Sequence, residues 1–491
     1  MNTRYLAALA CAMLIGAFTP AARAINEDQV LLLYNSQNAD SLAVRNMYVA
    51  LYPGVRQFDF NDATIPTQFC TRFEYNSKIR LPLLNFINGV SAPFQDISSD
   101  VVVFLTTRGL PTRINGGAEF SLATSFSSVE SELTLIQQDL EVAGNTALPF
   151  RYNGVIDNPY HLNNTVPVTN FTRANIKQPK NFTIVGPTGG EHWYITNLTS
   201  GDFYLTCRLD AQPYGTTTAL QNIQALLNRS QHLVVSKCMV QCLFDEYQPG
   251  ANQLDDDDLP PRFPLRDDFE KATQFLTNQG YAVTHDQTTN FITGTELPDN
   301  RPILVLGSYG ENHDIASGAE NAPGDGEYLD TYTFDSAAIF VSYESFNAHD
   351  IAGQSGSDHE QVTDFIARGG SFTVGHVAEP FTVFVADAEY LARALYLNGR
   401  TFAEAAWIAT PALSITNVPI GDPLATVTVV DTFLADVVEN GSVDVDDLNA
   451  ILSSWQVNVG VGDRLDVANN DGVINVDDLN VILAAWQVSC P

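Results

Sequence analysis

Short, predominantly apolar segments recur along residues 25–430 and alternate with segments of helical periodicity. The apolar segments are 30–34, 100–105, 302–307, 337–342 and 371–374. The segments with apolar residues at helical spacing are 41–51, 128–140, 267–279, 361–368, 387–397 and 402–410. A continuous apolar run is typical of a strand buried on both faces, as in a parallel sheet. Strands joined by helices therefore predict an α/β fold with a mainly parallel sheet.

Two stretches interrupt this pattern and divide the chain. Residues 150–205 are rich in Asn, Thr, Pro and Gly, which predicts a β-rich insertion. Residues 248–261 combine four consecutive aspartates, 255–258, with turn-forming residues, which is typical of a linker. Two interpretations of these aspartates stay open, a calcium site or a solvated loop. We therefore divide the core into a first α/β half, 25–247, and a second, 248–430.

The last part of the chain contains an internal repeat. Apolar residues at helical spacing occur twice, and the two copies are 31 residues apart. The two sets are Leu448, Ile451, Leu452 and Trp455, and Leu479, Ile482, Leu483 and Trp486. Each set follows an acidic loop that contains a glycine, Gly441 or Gly472. The repeat predicts two loop–helix units that pack together, since one such unit is too small to bury its own apolar face.

Both loops have the residue order of an EF-hand calcium site. Such a loop supplies oxygen ligands from positions 1, 3, 5, 7, 9 and 12, with glycine at position 6. In the first loop the ligands would be Asp436, Asn440, the Ser442 carbonyl, Asp444 and Asp447, while Val438 at position 3 has no ligating side chain. In the second they would be Asn469, Asp471, the Val473 carbonyl, Asn475 and Asp478. Asp466 lies one residue before position 1, and a one-residue insertion would still present it to the ion.

These loops predict binding of Ca²⁺, and a pair of solvated acidic turns is the alternative. Residues 434–490 as a whole resemble a type I dockerin, in which Asp at position 12 is common. The resemblance implies a small all-α, duplicated EF-hand domain that docks to a cohesin-like domain or another cell-surface protein. Positions 10 and 11, Val445-Asp446 and Val476-Asp477, lack the small hydroxyl pair of many dockerins. The partner is then an unusual cohesin, or the module is only a calcium-bound tail.

The amino terminus and the composition point to export. Residues 1–24 have a charged start, an apolar stretch and an Ala-Arg-Ala cleavage site, which predicts a signal peptide and a secreted protein, extracellular, cell-surface or periplasmic. No later apolar run has the length that a membrane span needs. The net charge of −33 disfavours nucleic acid and anionic membranes as partners. Since only 16% of residues are charged and 45% are hydrophobic, the chain is expected to be globular.

Five cysteines remain after the predicted cleavage, and an odd number leaves at least one thiol unpaired. Cys238 and Cys242 lack a second ligand pair at zinc spacing, so a disulfide or simple burial is the preferred interpretation.

Motifs spread over 25–430 resemble an uncharacterised family of exported bacterial proteins from species with exosortase-type sorting systems. The matching segments are 34–36, 40–43, 107–111, 208–210, 375–380 and 421–424. The second half is also remotely similar to gingipain-type peptidases, which implies a caspase-like sheet with a catalytic His and Cys at strand ends. The matching positions here are His313 and Ser345. No cysteine lies between Cys242 and Cys490, so the thiolate of such a peptidase is missing.

The polar residues that follow the strands of the second half are the candidates for a site in the core. They are His313, Glu344, Ser345, His376 and Glu379. Ligands of open α/β sheets bind beyond the carboxyl ends of the strands, so we expect these residues at one edge. Structural roles for each of them stay open. Arg108 and Arg113 are candidates to clamp a carboxylate or phosphate, or to pair with aspartates.

Two functions remain open at this point. The first is a secreted protein with a calcium-binding docking tail and a core of unknown activity. The alternative is an extracellular hydrolase, peptidase-like around His313 and Ser345 or acting on polysaccharides, the usual association of dockerins. A glycosidase would need two carboxylates roughly 5–10 Å apart, for which Glu344 and Glu379 are available.

Overall fold

The computed structural model describes most of the chain after residue 24. The described residues are 25–91, 93–115, 126–138, 154–163, 165–180, 182–185, 192–231, 233–246, 269–288, 292–297, 300–308, 327–344, 346–351, 361–378, 380, 384–430, 435–438, 440–460, 463–468 and 471–487. The candidate residues His313, Ser345, Glu379 and Asn469, the predicted signal peptide and the linker 248–261 lie outside them.

The strands of the described residues are numbered in chain order. They are β1 (Val30–Tyr34), β2 (Arg56–Asp59), β3 (Phe69–Thr71), β4 (Val103–Thr107), β5 (Arg113–Asn115), β6 (Phe126–Ser128), β7 (Gly154–Asp157), β8 (Phe182–Val185), β9 (His192–Thr196), β10 (Leu205–Leu209), β11 (Leu233–Ser236), β12 (Gln241–Asp245), β13 (Ala282–Asp286), β14 (Ile303–Ser308), β15 (Phe334–Ser342), β16 (Phe372–His376), β17 (Ala412–Leu413), β18 (Asn417–Ile420) and β19 (Val427–Val430).

The α-helices of the described residues are numbered in the same way. They are α1 (Ala39–Leu51), α2 (Arg72–Glu74), α3 (Leu81–Ile87), α4 (Val129–Thr134), α5 (Ala219–Arg229), α6 (Phe269–Asn278), α7 (Gln361–Ala367), α8 (Ala388–Ala392), α9 (Phe402–Ala409), α10 (Val445–Ser453) and α11 (Val476–Ala484). A π-helical segment, Tyr75–Arg80, joins α2 to α3, and another, Arg393–Leu397, continues α8.

A ten-stranded sheet forms the centre of the molecule, in the order β13-β12-β14-β15-β16-β18-β10-β4-β1-β2. Every neighbouring pair is parallel except β16 and β18. The predicted α/β fold with a mainly parallel sheet is therefore confirmed. The single antiparallel pair divides the sheet into a first half-sheet (β18-β10-β4-β1-β2) and a second half-sheet (β13-β12-β14-β15-β16) that run in opposite directions. Their carboxyl ends consequently lie at opposite edges.

The two half-sheets share one winding order. We number the strands of each half-sheet by their order along the chain and read them from the outer edge inwards. Both half-sheets then have the spatial order 2-1-3-4, which is β2-β1-β4-β10 in the first and β13-β12-β14-β15 in the second. A helix joins the first strand to the second in both, α1 in one and α6 in the other. Strand β12 begins the second half-sheet although it precedes the division at 247/248 suggested by the sequence. β18 returns from the second half of the chain to pair with β10.

Alternate residues of the buried strands contact different hydrophobic clusters because successive side chains of a strand point to opposite faces. Leu32 and Leu105 join a cluster that includes Tyr48 of α1. Leu33 and Phe104 join a second cluster with the helical segment 72–87 and α4. Helices thus cover both faces, which is why these strands are apolar throughout.

Smaller sheets surround the large one. The β-rich insertion predicted over 150–205 contains β7, β8 and β9, which form a sheet with β17 in the order β17-β7-β9-β8. β5 lies between β3 and β6 in a three-stranded sheet, and β11 pairs with β19. The β11–β19 pair places the end of the core beside Cys238, which packs against the hydrophobic cluster of the tail.

The tail contains two loop–helix units that pack through a small apolar cluster. Ile451 of α10 and Ile482 of α11 are its fully buried helical members, and Val443 and Ile474 from the loops complete its centre. Backbone hydrogen bonds also join the units, since Gln487 N donates to the Val443 carbonyl at 2.9 Å.

Candidate functional site

In the first loop of the tail, two carboxylates accept hydrogen bonds from the loop backbone. Asp436 Oδ1 accepts from Asn440 N at 3.0 Å, and its Oδ2 accepts from Gly441 N at 2.8 Å. Asp447 Oδ1 accepts from Val438 N at 3.0 Å. Gly441 has φ of 88°, which a glycine adopts without strain. The side chains at positions 1 and 12 are therefore both held inside the loop.

The second loop has the same arrangement around Asp466 and Asp478. Asp466 Oδ2 accepts from Gly472 N at 2.6 Å, as Asp436 Oδ2 does from Gly441 N. Asp478 Oδ1 accepts from Ala468 N at 2.9 Å. Asp466 consequently occupies the place of position 1, as the insertion hypothesis requires.

The extra residue of the second loop can be located from these contacts. Val438 and Ala468 are equivalent because both donate to the carboxylate at position 12. Two residues lie between Val438 and Gly441, and three lie between Ala468 and Gly472. The insertion therefore falls between Ala468 and Gly472, and Asn469, the predicted ligand at position 3, lies in this segment and outside the described residues.

Other predicted ligands of the loops form local hydrogen bonds. Asp444 and Asn475 cap α10 and α11, since their Oδ1 atoms accept from Asp446 N at 2.8 Å and Asp477 N at 2.7 Å. Asn440 Oδ1 accepts from Ser442 N at 3.0 Å, and Asp471 Oδ1 accepts from Val473 N at 2.9 Å. Asp447 and Asp478 complete the caps by accepting from the backbone N of Asp444 and Asn475, both at 2.8 Å.

The four central carboxylates are removed from water without a cationic partner. Asp436, Asp447 and Asp478 are 0% exposed and Asp466 is 7% exposed. Asp466 Oδ1 has no hydrogen-bond partner. Within the described part of the chain, no Lys, Arg or His forms an ion pair with any of the four, and no three His, Cys, Asp or Glu side chains are grouped as around a metal ion.

Half of the predicted packing face of the tail helices is exposed. Ile451 and Ile482 are buried, but the equivalent apolar residues around them face solvent in matching pairs. The pairs are Val445 and Val476 at 55% each, Leu452 and Leu483 at 48% and 50%, and Trp455 and Trp486 at 37% and 38%. The expectation that all four apolar residues of each helix pack inside the tail is therefore wrong for Leu452, Trp455, Leu483 and Trp486. We call the exposed set the duplicated apolar row.

In the core, the second half-sheet brings the ends of β14, β15 and β16 to one edge. Adjacent parallel strands pair Ser308 with Ser342, and Ile339 with Phe372. Glu344 and His376 therefore lie at the same edge, as expected. The segments that contain His313, Ser345 and Glu379 also follow these strands but lie outside the described residues, so the hydrolase hypothesis stays a prediction.

Glu344 and His376 are both fully buried at this edge. Glu344 Oε2 accepts hydrogen bonds from Ser342 Oγ at 2.9 Å and Tyr328 Oη at 3.1 Å. Burial lowers the pKa of His376 to about 3, so its imidazole is neutral at physiological pH. Its backbone N donates to Asn347 Oδ1 at 2.7 Å. Phe346 has φ of 65°, and this left-handed residue lies in the turn between Glu344 and Asn347.

A second acid–base group lies farther along the same edge, after β12 and β13. His285 Nε2 lies 2.6 Å from Glu246 Oε1, and Glu246 is almost completely buried. Burial raises the pKa of the preceding residue, Asp245, to about 7. The sequence interpretation missed this group, although Glu246 directly follows a strand, which is the signal that singled out Glu344.

The opposite edge contains a buried ion cluster. Arg208 Nε donates to Asp210 Oδ2 at 3.0 Å, and its Nη1 donates to Glu130 Oε1 at 3.1 Å. All three side chains are 0% exposed. Arg108 pairs with Asp210 at 2.8 Å and with Asp40 at 3.1 Å. Of the two roles considered for Arg108, binding an anion or pairing with aspartates, the structure shows the pairing with aspartates.

The cysteines do not form a thiolate site among the described residues. Cys70, Cys207 and Cys242 are free and buried. Burial raises the pKa of all three thiols, that of Cys70 to about 12. Cys238 is disulfide-bonded. The expectation of at least one unpaired thiol is confirmed, and Cys238 and Cys242 show the predicted disulfide and burial.

Comparison of the chain with protein-family models, curated proteins and solved structures finds no match in any of the three. Within the described ranges, no helix combines the length and the apolar character needed to cross a bilayer.

Proposed function

We propose that this is an exported protein whose tail binds Ca²⁺ in two loops and docks the α/β core to a cohesin-like domain. The observation that carries the proposal is the burial of Asp436, Asp447, Asp466 and Asp478, whose carboxylates form no ion pair within the described residues. Arg464 contacts the first loop, but its Nη2 donates to the Asp436 backbone carbonyl at 2.6 Å. Backbone N–H groups are the hydrogen-bond donors to the four carboxylates. A buried, charged carboxylate that lacks a counter-ion is strongly destabilising, and a bound cation would balance the charge of these four side chains.

The donor set fits calcium. Ca²⁺ prefers carboxylate, amide and carbonyl oxygens, and each loop offers these three kinds. Asp466 Oδ1, which is buried and has no hydrogen-bond partner, is available for a ligand role. Asp444 and Asn475 hold position 9, a position that often contacts the ion through water. Binding of the ion would then contribute directly to the stability of the tail.

The duplicated apolar row supports a docking role for the same tail. Its members recur on α10 and α11 with nearly equal exposure. On each helix these residues are at i, i+7 and i+10, which places them on one side of the helix, and exposed apolar faces are typical of binding surfaces. Since both helices present the same residues, either helix can supply the contact. The resemblance to dockerins identifies the occupant that we propose, a cohesin-like domain.

Calcium binding is tested by calorimetric titration of the full chain after removal of metal with chelator. We expect saturable binding that is lost when Asp447 and Asp478 are both replaced by Asn, because these two carboxylates occupy position 12 of each loop. The matched control replaces the neighbouring exposed residues Asp446 and Asp477 by Asn, an equal change of charge. At 100 times the dissociation constant, calcium should stabilise the tail by about 2.7 kcal/mol per site. Equal calcium binding by both double variants would contradict the proposal.

Docking is tested with purified cohesin domains and the full chain in a pull-down with and without calcium. The Leu452→Ser, Leu483→Ser double variant should lose binding, while either single variant should retain it because the other helix is intact. A calcium-loaded protein that binds none of the cohesins would leave the tail as a calcium module and refute the docking role.

A further inference from the structure

Four buried hydrogen-bond donor atoms on β5 and around the carboxyl end of β16 have no acceptor among the described residues. They are Nε and Nη1 of Arg113, Nδ2 of Asn347 and Nε2 of His376. Arg113 is 8% exposed, and Asn347 and His376 are 0% exposed. Buried polar groups are nearly always hydrogen-bonded, so these donors need acceptors other than the described protein atoms, supplied by a ligand or by water.

The fold connects these three residues through the antiparallel centre of the sheet. Arg113 of β5 is paired with Ser128 of β6. Ser128 Oγ donates to the carbonyl of Asn417 at 2.5 Å, and Asn417 is paired with His376. His376 N in turn donates to Asn347 Oδ1 at 2.7 Å. The small sheet therefore extends from the first half of the chain to the carboxyl end of β16.

The hydrogen bonds of the two amides define the donor on His376. The Nδ2 of Asn417 donates to the Phe384 carbonyl at 3.0 Å and lies 3.5 Å from His376 Nδ1. An amide nitrogen can only donate, so Nδ1 is the acceptor of the imidazole and Nε2 carries the proton. Asn347 Oδ1 is occupied by the His376 backbone, which leaves its Nδ2 as a donor.

Arg113 supplies the positive charge. Its guanidinium carbon lies 5.1 Å from the centre of the Phe69 ring, a stacked arrangement that covers one face and leaves the N–H edge free for a planar anion. Arg108 and Arg208 are bonded to carboxylates, whereas Arg113 forms no ion pair within the described ranges. Asp350 is near enough to favour its charged form, while burial lowers its pKa. His349 Nδ1 lies 3.0 Å from Asp350 Oδ1.

We propose that Arg113, Asn347 and His376 form a binding site for the carboxylate group of a small acid. A carboxylate matches the guanidinium fork with two parallel hydrogen bonds, and the amide and imidazole N–H groups can donate to the same oxygens. One cation balances one negative charge. A doubly charged phosphate is disfavoured because Asp350 is near Arg113 in a chain of net charge −33.

The test measures binding of small acids to the full chain by calorimetry at constant calcium and ionic strength. The probes are acetate, N-acetylglutamate, galacturonate and inorganic phosphate. We expect saturable binding of the carboxylates, and the tighter of N-acetylglutamate and galacturonate identifies an amino-acid or a sugar acid as the ligand class. Phosphate binding as tight as that of the carboxylates, or no binding of any acid, would overturn the proposal.

The Arg113→Met variant should bind the carboxylates about 10- to 100-fold more weakly, since it removes a charge-assisted bidentate contact. Arg45→Met is the matched control, because Arg45 also stacks on an aromatic ring, that of Tyr34, at 5.5 Å. Equal weakening by both variants would overturn the assignment.

The stability of the ligand-free Arg113→Met variant gives an independent readout. Removing a buried cation without an ion pair should leave the urea midpoint unchanged or raise it. A large loss of stability would show that Arg113 is a structural ion partner, and the ligand site would then be wrong.

Discussion

Asp422 is a buried carboxylate that should make the core less stable as the pH rises. It is 0% exposed and lies at the end of β18, the strand that joins the two half-sheets. Tyr52 Oη donates to its Oδ2 at 2.7 Å, and Tyr48 Oη and Leu424 N donate to its Oδ1 at 3.3 and 3.1 Å. Burial outweighs these hydrogen bonds and raises the pKa of Asp422 to about 6.

The sign and size follow from this pKa. The folded protein holds the proton of Asp422 up to about pH 6, whereas the unfolded chain releases it near 3.8. The contribution of this group to stability is therefore fully present below pH 3.8 and is lost as the pH rises through 6. The total difference is about 3 kcal/mol, and about 1.5 kcal/mol of it falls between pH 5 and 7.5.

The perturbation is Asp422→Asn, which keeps the shape of the side chain and has no proton to lose. We expect the variant to be more stable than the parent at pH 7.5, and the difference in unfolding free energy to grow by about 1.5 kcal/mol from pH 5 to 7.5. Urea unfolding followed by far-UV circular dichroism measures this difference, and the whole range stays above the pI of 4.3.

The control is Asp28→Asn, which changes an exposed carboxylate. Titrations elsewhere in the protein occur in parent and variant alike and cancel in the difference. A difference that is independent of pH, or that shrinks as the pH rises, would refute the reasoning that burial dominates at Asp422.

Two further predictions concern the other buried groups. Arg208→Met should destabilise the core by roughly 3–5 kcal/mol in urea unfolding, because Glu130 and Asp210 would stay buried without their partner. Arg45→Met, which removes a partly exposed cation that stacks on Tyr34, should cost only about 1 kcal/mol or less, and equal effects would contradict the ion-cluster interpretation. Cys70, Cys207 and Cys242 should resist maleimide in the native protein and react only after unfolding, as followed by mass spectrometry, since burial keeps their thiols protonated; rapid native labelling of any one of them would contradict this.

The amino-acid sequence by itself was sufficient for the main buried strands and for the two acidic loop–helix units of the tail. Apolar runs such as 302–307 and 337–342 form strands because a segment buried on both faces has to be apolar throughout. The order of oxygen-bearing residues around Gly441 and Gly472 can be read from a single stretch of sequence. The same holds for the turn at position 6, because a positive φ is a property of the glycine itself. The one-residue insertion near Asp466 could be stated from the sequence for the same reason.

The partners of the charged and polar residues depend on the tertiary structure. Arg108 and Arg113 are five residues apart and look equivalent in the sequence. In the structure Arg108 pairs with Asp40 and Asp210, whereas Arg113 lies on β5 and stacks on the ring of Phe69. Nothing in the sequence distinguishes Asn347 and Asn417 from other loop and strand residues. The structure places both beside His376 at the end of β16. Contacts between residues far apart in the chain determine which side chains lie in one site. A local sequence pattern contains no information about such contacts.

The direction of the half-sheets was also decided only by the tertiary structure. Each run of strands and helices predicts a parallel unit, because a strand–helix–strand crossover returns the chain in the same direction. The way two such units join depends on β18, a four-residue strand that pairs parallel to β10 and antiparallel to β16. Because of this pairing, the carboxyl ends of the two half-sheets lie at opposite edges. A four-residue strand is too short for its sequence to indicate which strands it pairs with.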